Sequence, residues 1–258
     1  MLHYTTYEHP TSTEWVTFVH GAGGSSSIWF KQVRAFQQQY NVLLVDLRGH
    51  GRSKLPMPKD IKRYNFDFIT EDVLQVLDHL QIEKTHLVGI SLGTIIIREM
   101  AEHYPDRVQS MIMGGAVMQL NLRGKILMRL GVWFKNVIPY LILYKFFAFV
   151  IMPKRNHKES RSLFVREAKK LYQKEFIRWF KLAADINQRL KWFRLQDADI
   201  PTLYLMGEED HMFLPSVRLL AQQHKSAQLV VVSNSGHVVN VEQPEVFNRT
   251  ALDFLQQH

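Results

Sequence analysis

LVGISLGTII, residues 87–96, sets one serine between two glycines with apolar residues on both sides. The run leading into it, THLVGI (Thr85 to Ile90), reads as a buried strand. SLGTIIIREMAEHYP reads as a helix that begins at Ser91 and stops before Pro105. Ten residues thus hold a strand, a sharp turn and a helix start. Glycines at 89 and 93 suit a turn so tight that a side chain at either place would strike the neighbouring strand or helix. Ser91 has two readings. It is a helix N-cap, a position serine favours, or a nucleophile held on a strained turn.

The same alternation extends along the chain. WVTFVHG from Trp15, NVLLVDLRGHG from Asn41, VQSMIMGGA from Val108, TLYLMG from Thr202 and AQLVVVS from Ala227 carry short, nearly continuous apolar runs, the pattern of strands covered on both faces. Between them, Ile69, Val73, Val76, Leu77 and Leu80 follow one helix face, and QPEVFNRTALDFLQQH sets proline at a helix start. Strand–helix alternation predicts an α/β fold, a mostly parallel sheet with helices on both faces. It fails between residues 118 and 196, where aromatic and aliphatic residues recur at helical spacing with Lys and Arg between them. That segment is expected to be a helical cap inserted into a core of residues 1–117 and 197–258. Ligands bind at the carboxyl ends of such sheets, so the cap is expected to act as a lid.

Composition narrows the function classes. The chain of 258 residues has no cysteine, which excludes disulfides, thiol catalysis and cysteine–metal sites. Its net charge of +8 is uneven. Residues 119–196 carry 18 Lys and Arg against 4 Asp and Glu, and the remainder is acidic, with 14 against 20. A basic cap on an acidic core, with no recognition motif, does not describe a nucleic-acid binder. It permits steering of anionic substrates, or weak association with an anionic membrane surface. The longest greasy run, Val137 to Met152, contains Pro139 and Lys145 and falls short of the roughly 18 apolar residues of a span. No secretory pattern opens the chain, so a cytoplasmic location is expected.

Strand ends carry the reactive residue types: HGAGG (His20 to Gly24), GISLG, GEED (Gly207 to Asp210) and NSGH (Asn234 to His237). A serine hydroxyl needs a base near neutral pH. His237, between a strand and the last helix, falls at the same sheet edge as Ser91. A carboxylate must then hold the imidazole, and Glu208, Glu209 and Asp210 compete for that role. The order Ser91, acid, His237 is that of one triad class.

In FVHGAGGSSSIW, VLLVDLRGHGRS, LVGISLGT, YLMGEEDHMF and NSGHVVNVEQPEVFNRTALDFL, the chain resembles the α/β-hydrolase superfamily over nearly its whole length outside the cap. The resemblance implies the α/β-hydrolase fold. It implies Asp210, three residues after the glycine ending its strand, as the triad acid, and the backbone N–H groups of Ala22 and Leu92 as an oxyanion hole. It gives His20 and His50 loop-bracing roles, and it implies neither metal nor organic cofactor. Ile90 stands where many members carry a polar residue. Serine, not aspartate, as nucleophile sets the chain apart from the dehalogenase and epoxide-hydrolase branches.

The expected activity is hydrolysis of a small-molecule carboxylic ester, or thioester, with a short-to-medium apolar acyl group. Ile90, Trp133, Phe134, Phe147 and Trp179 are the candidates for substrate contact; any one of the cap aromatics reads equally as cap core. Two alternatives stay open. One is a ligand-binding signalling protein that keeps the triad with little turnover. The other is a triad enzyme for lactones, perhydrolysis or carbon–carbon bonds, since fold and triad do not fix substrate.

Overall fold

A computed structural model describes residues 1–59, 61–120, 124, 126, 129, 131, 133, 138–184 and 186–258. At its centre is a seven-stranded sheet of β1 (Tyr4–Tyr7), β2 (Trp15–Val19), β3 (Asn41–Val45), β4 (Thr85–Ile90), β5 (Val108–Gly114), β6 (Thr202–Gly207) and β7 (Ala227–Val232). The order across it is β1-β3-β2-β4-β5-β6-β7. All neighbours run parallel except β1 with β3. Six strands are those expected, and β1 was not foreseen. YTTY contains good strand formers, but four half-buried residues show no alternation to read.

The helices outside the insertion are α1 (Val33–Phe36), α2 (Phe66–His79) and α3 (Leu92–His103) before it, and α8 (Leu214–Gln223), α9 (Val239–Glu242) and α10 (Pro244–Leu255) after it. Side chains of a strand alternate between faces. On β3, Leu43 and Val45 join one core cluster, with Ile69, Val73 and Val76 of α2 and Ile96 and Met100 of α3. Val42 and Leu44 join the other, with Phe36 of α1 and Phe247, Ala251 and Phe254 of α10.

Between β5 and β6 the described residues form no strand. They include α4 (Tyr140–Ile151), α5 (Lys158–Ala168), α6 (Gln173–Ala184) and α7 (Asn187–Leu195). Leu143, Tyr144, Ala168, Leu171, Phe176 and Phe180 form a small core within this insertion. Its later part is tied elsewhere: Trp179, Leu182, Leu190 and Phe193 join the sheet's own core. No helix of the described residues is long and apolar enough to cross a membrane.

The topology positions the site. From β2 the chain moves to β3 on one side, and from β4 it moves to β5 on the other. The carboxyl ends of β2 and β4 therefore border a crevice, the usual ligand position in open parallel sheets. HGAGG leaves β2 there, and Ser91 leaves β4.

Candidate active site

Ser91 has φ of 54° and ψ of −120°, a left-handed conformation that a side chain adopts only under constraint. The constraint is close packing of strand on helix. A Cβ on Gly93 would lie 2.2 Å from the carbonyl oxygen of Val19, so α3 approaches β2 as only glycine permits. Ser91 does occupy the N-cap position of α3, yet its hydroxyl caps nothing there. Instead Ser91 Oγ lies 2.8 Å from His237 Nε2.

His237 Nδ1 lies 2.8 Å from Asp210 Oδ2. With Nδ1 donating to the carboxylate, Nε2 is left to accept from the serine hydroxyl. Asp210 is buried; its other oxygen accepts the amide of Phe213 at 3.1 Å, and the Phe213 ring packs on His237 at 4.9 Å. The three competing carboxylates separate cleanly. Glu208 is exposed, Asp210 meets His237, and Glu209 turns to the insertion, where it binds Lys154, Asn156 and His157. The Lys154 ammonium is the main cause holding the Glu209 carboxyl down to about 2.

The amides of Ala22 and Leu92 donate to no other group among the described residues, and Ala22 and Ser91 line the same cavity. The loop bearing Ala22 is held by two buried histidines. His20 Nδ1 donates to the Gly21 carbonyl at 2.8 Å, and its Nε2 accepts the Leu47 amide at 3.0 Å. His50 Nδ1 donates to the Arg48 carbonyl at 3.1 Å, and its Nε2 accepts the Gly23 amide at 3.0 Å. Burial lowers both pKa values, that of His50 to about 3, with His20 adding to the effect. Each ring is thus neutral and able to accept. Arg48 in turn grips Asp72 through two nitrogens, at 2.7 and 2.6 Å.

The cavity over Ser91 measures about 110 Å³. Ile90, expected at the site, does line it, with Ile28, Ile151, Met152, Leu163, Phe164 and Val238. The cap aromatics expected beside it are elsewhere. Trp179 is buried against His50 and donates its indole N–H to the Arg48 carbonyl at 2.9 Å, a buttress for the loop below. Phe147 stacks on Phe180 at 5.9 Å within the insertion's core. Trp133 is 71% exposed. Phe134 lies outside the described residues. The rings of Phe147 and Phe180 fill the insertion's own small core, and the cavity is lined mostly by aliphatic side chains, with Phe164 its one large ring. Leu163, Phe164 and Glu167 were missed, although their spacing on α5 marks one helix face.

One further trio has metal-ligand character: Asp67, Glu99 and His103 converge within 4.8 Å. Arg189 pairs with both carboxylates, so a side-chain cation already serves this cluster.

The sequence pattern of the alpha/beta hydrolase fold family matches residues 14–244. The chain belongs to that family. Among relatives, 3-oxoadipate enol-lactonase 2 of Acinetobacter baylyi is 26% identical over 240 residues, covering 90% of this chain and 84% of that protein. Among solved structures, the enol-lactonase from Burkholderia xenovorans LB400 superposes with a TM-score of 0.81 at 20% identity, covering 99% of this chain and 96% of that one. An esterase from Exiguobacterium antarcticum superposes with a TM-score of 0.83 at 18% identity, covering 99% and 95%. These two likenesses show a shared fold. As a member of the alpha/beta hydrolase fold family, the chain shares its fold with proteins of differing named activities.

Proposed function

We propose that the protein is a serine hydrolase that cleaves carboxylic esters of short, apolar acyl groups through an acyl-enzyme. The observation that carries this reading is the Ser91 hydroxyl, turned away from the helix end it could cap and set 2.8 Å from His237 Nε2. Ser91 Oγ attacks the acyl carbonyl as His237 Nε2 takes its proton. Asp210 keeps the imidazole in the accepting tautomer and stabilises the imidazolium that forms. The Ala22 and Leu92 amides receive the developing oxyanion; loss of one such donor costs roughly 100- to 1000-fold in turnover elsewhere. His237 then protonates the leaving alcohol, which departs. It next takes a proton from water, whose attack releases the acid and restores Ser91.

The cavity supports the acyl preference. An engineered apolar cavity of about 150 Å³ in another protein holds benzene, so one of about 110 Å³ suits an acetyl to butyryl group. Its described lining contains no Lys or Arg, and Glu167 is its one carboxylate. This favours an uncharged acyl group over one bearing a carboxylate. The helical insertion supplies Ile151, Met152, Leu163 and Phe164 to the wall and so acts as a lid that selects chain length.

The test is hydrolysis of p-nitrophenyl esters from acetate to octanoate, with a neutral lactone beside them, for the parent and for Ser91→Ala. The reading expects a maximum at two to four carbons and a loss of about 1000-fold or more in kcat for the variant. Retained turnover in Ser91→Ala would overturn it. So would labelling of Ser91 by a fluorophosphonate without turnover of any ester, which would favour a ligand-binding role.

A further inference from the structure

Helix α4 is apolar on its outward face as well as its inward one. Leu143, Tyr144 and Ala148 face inward and are buried. Ile142, Phe146 and Phe149, spaced four and three apart on one stripe, are 57%, 47% and 60% exposed. Within the twelve residues the single charge is Lys145, on that same outward side. Contiguous exposed apolar surface on a folded protein marks a contact site.

A second observation says what the contact is. Beside the stripe, between α4 and α5, runs a surface groove of about 430 Å³, lined by Lys145, Phe149, Arg161, Arg166 and Lys169. No acidic residue lines it among those described. Arg161 is partly engaged by the Met152 and Lys154 carbonyls, and Arg166 approaches Glu167 at 3.6 Å. Lys145 and Lys169 form no ion pair among the described residues. The groove belongs to the segment carrying 18 basic against 4 acidic residues.

We infer that the outer face of α4, with the adjoining groove of α5, docks on an anionic lipid bilayer. Phenylalanine and isoleucine side chains reach the boundary between headgroups and acyl chains, and the basic side chains meet lipid phosphates and carboxylates. The charge decides between this occupant and a second copy of the chain. A two-fold contact through this face would set Lys145, Arg166 and Lys169 against their own images with no acid to answer them. The same helices carry Ile151, Leu163 and Phe164 into the cavity over Ser91, so the docking face and the cavity wall are opposite sides of one helix pair. The inference stands apart from the proposed chemistry, since docking needs no turnover.

The experiment is co-sedimentation of the full chain with phosphatidylcholine vesicles and with vesicles containing phosphatidylserine, at low and physiological salt. The Ser91→Ala protein is run in parallel and is expected to sediment like the parent. Partitioning is expected to be at least tenfold greater on the anionic vesicles and to fall with salt. Each basic side chain at such a surface contributes about fivefold, so Lys145→Gln with Lys169→Gln should lose about 25-fold. Phe146→Ser with Phe149→Ser should lose binding to both vesicle types while keeping the parent's Tm and its rate on a soluble ester. Absence of binding, equal binding to both vesicle types, or unchanged binding by both double variants would overturn the inference. So would a dimer in analytical ultracentrifugation that the phenylalanine changes dissociate, since that assigns the face to a second copy.

Discussion

His157 Nε2 lies 2.8 Å from Glu209 Oε2, so the insertion grips the residue next to the one that holds His237. The Glu209 amide donates to the Ser235 carbonyl at 2.8 Å, and the Gly236 amide donates to Glu242. His157 is wholly buried, and a Cβ on Gly236 would lie 2.6 Å from its ring. The loops carrying Asp210 and His237 are thus packed around one histidine of the insertion. His157→Ala should lower kcat on p-nitrophenyl acetate by about tenfold or more, since small displacements of a catalytic base are costly. His157→Gln, whose amide can still donate to Glu209, should recover part of it. A kcat for His157→Ala equal to the parent's would show that the loops hold themselves.

Gly93→Ala should be far more damaging than its size suggests. Its Cβ meets backbone, at 2.2 Å from Val19 O and 2.8 Å from His20 O, and neither atom can rotate away. A loss of about 3 kcal/mol or more in urea unfolding is expected. A variant with the parent's midpoint would mean that β2 and α3 can separate at no cost.

Stability should fall as pH drops below 6.5. Burial is the first cause lowering His50 to about 3 and His86 to about 4. Between those values and 6.5 the unfolded chain binds more protons than the folded one, so stability rises with pH through that window and is lost on acidification. Each such histidine contributes up to about 1.4 kcal/mol per pH unit there. Urea midpoints between pH 6.5 and 5 should decline, and less so in His50→Gln, whose amide oxygen can still accept from Gly23. A flat profile for the parent would show that His50 is not held neutral.

Chain-length preference should answer to α5. Leu163 lines the cavity, and its truncation leaves Ser91, His237 and Asp210 in place. Leu163→Ala should raise kcat/KM for hexanoate relative to acetate by about tenfold, the worth of one or two methylenes in an apolar pocket. An unchanged profile would place the acyl group elsewhere.

The parallel strands were legible because each is an almost unbroken apolar run ending in glycine or a turn, and this also located Ser91 and His237. The choice among Glu208, Glu209 and Asp210 was not legible from spacing. It depends on a turn in which the Asp210 amide bonds to the Gly207 carbonyl, and this sends neighbouring side chains to solvent, to the insertion and to His237. The insertion was legible as helices and no further. Periodicity shows that Phe147 and Phe149 lie on different sides of α4, but not which side meets protein, and the more exposed of the two proved to be Phe149.

Val19 pairs with Gly89 in the middle of the sheet, three residues before Ala22 and two before Ser91. The distance between Ser91 and the Ala22 amide is therefore metered by the central ladder, which sits among the most deeply buried residues of the molecule. Asp210 hangs from β6, which is also buried throughout, but His237 follows β7, a half-exposed edge strand. Wear, by heat or by mutation, should reach the loop of His237 first. An ageing molecule would keep Ser91 beside the Ala22 amide long after it had mislaid His237.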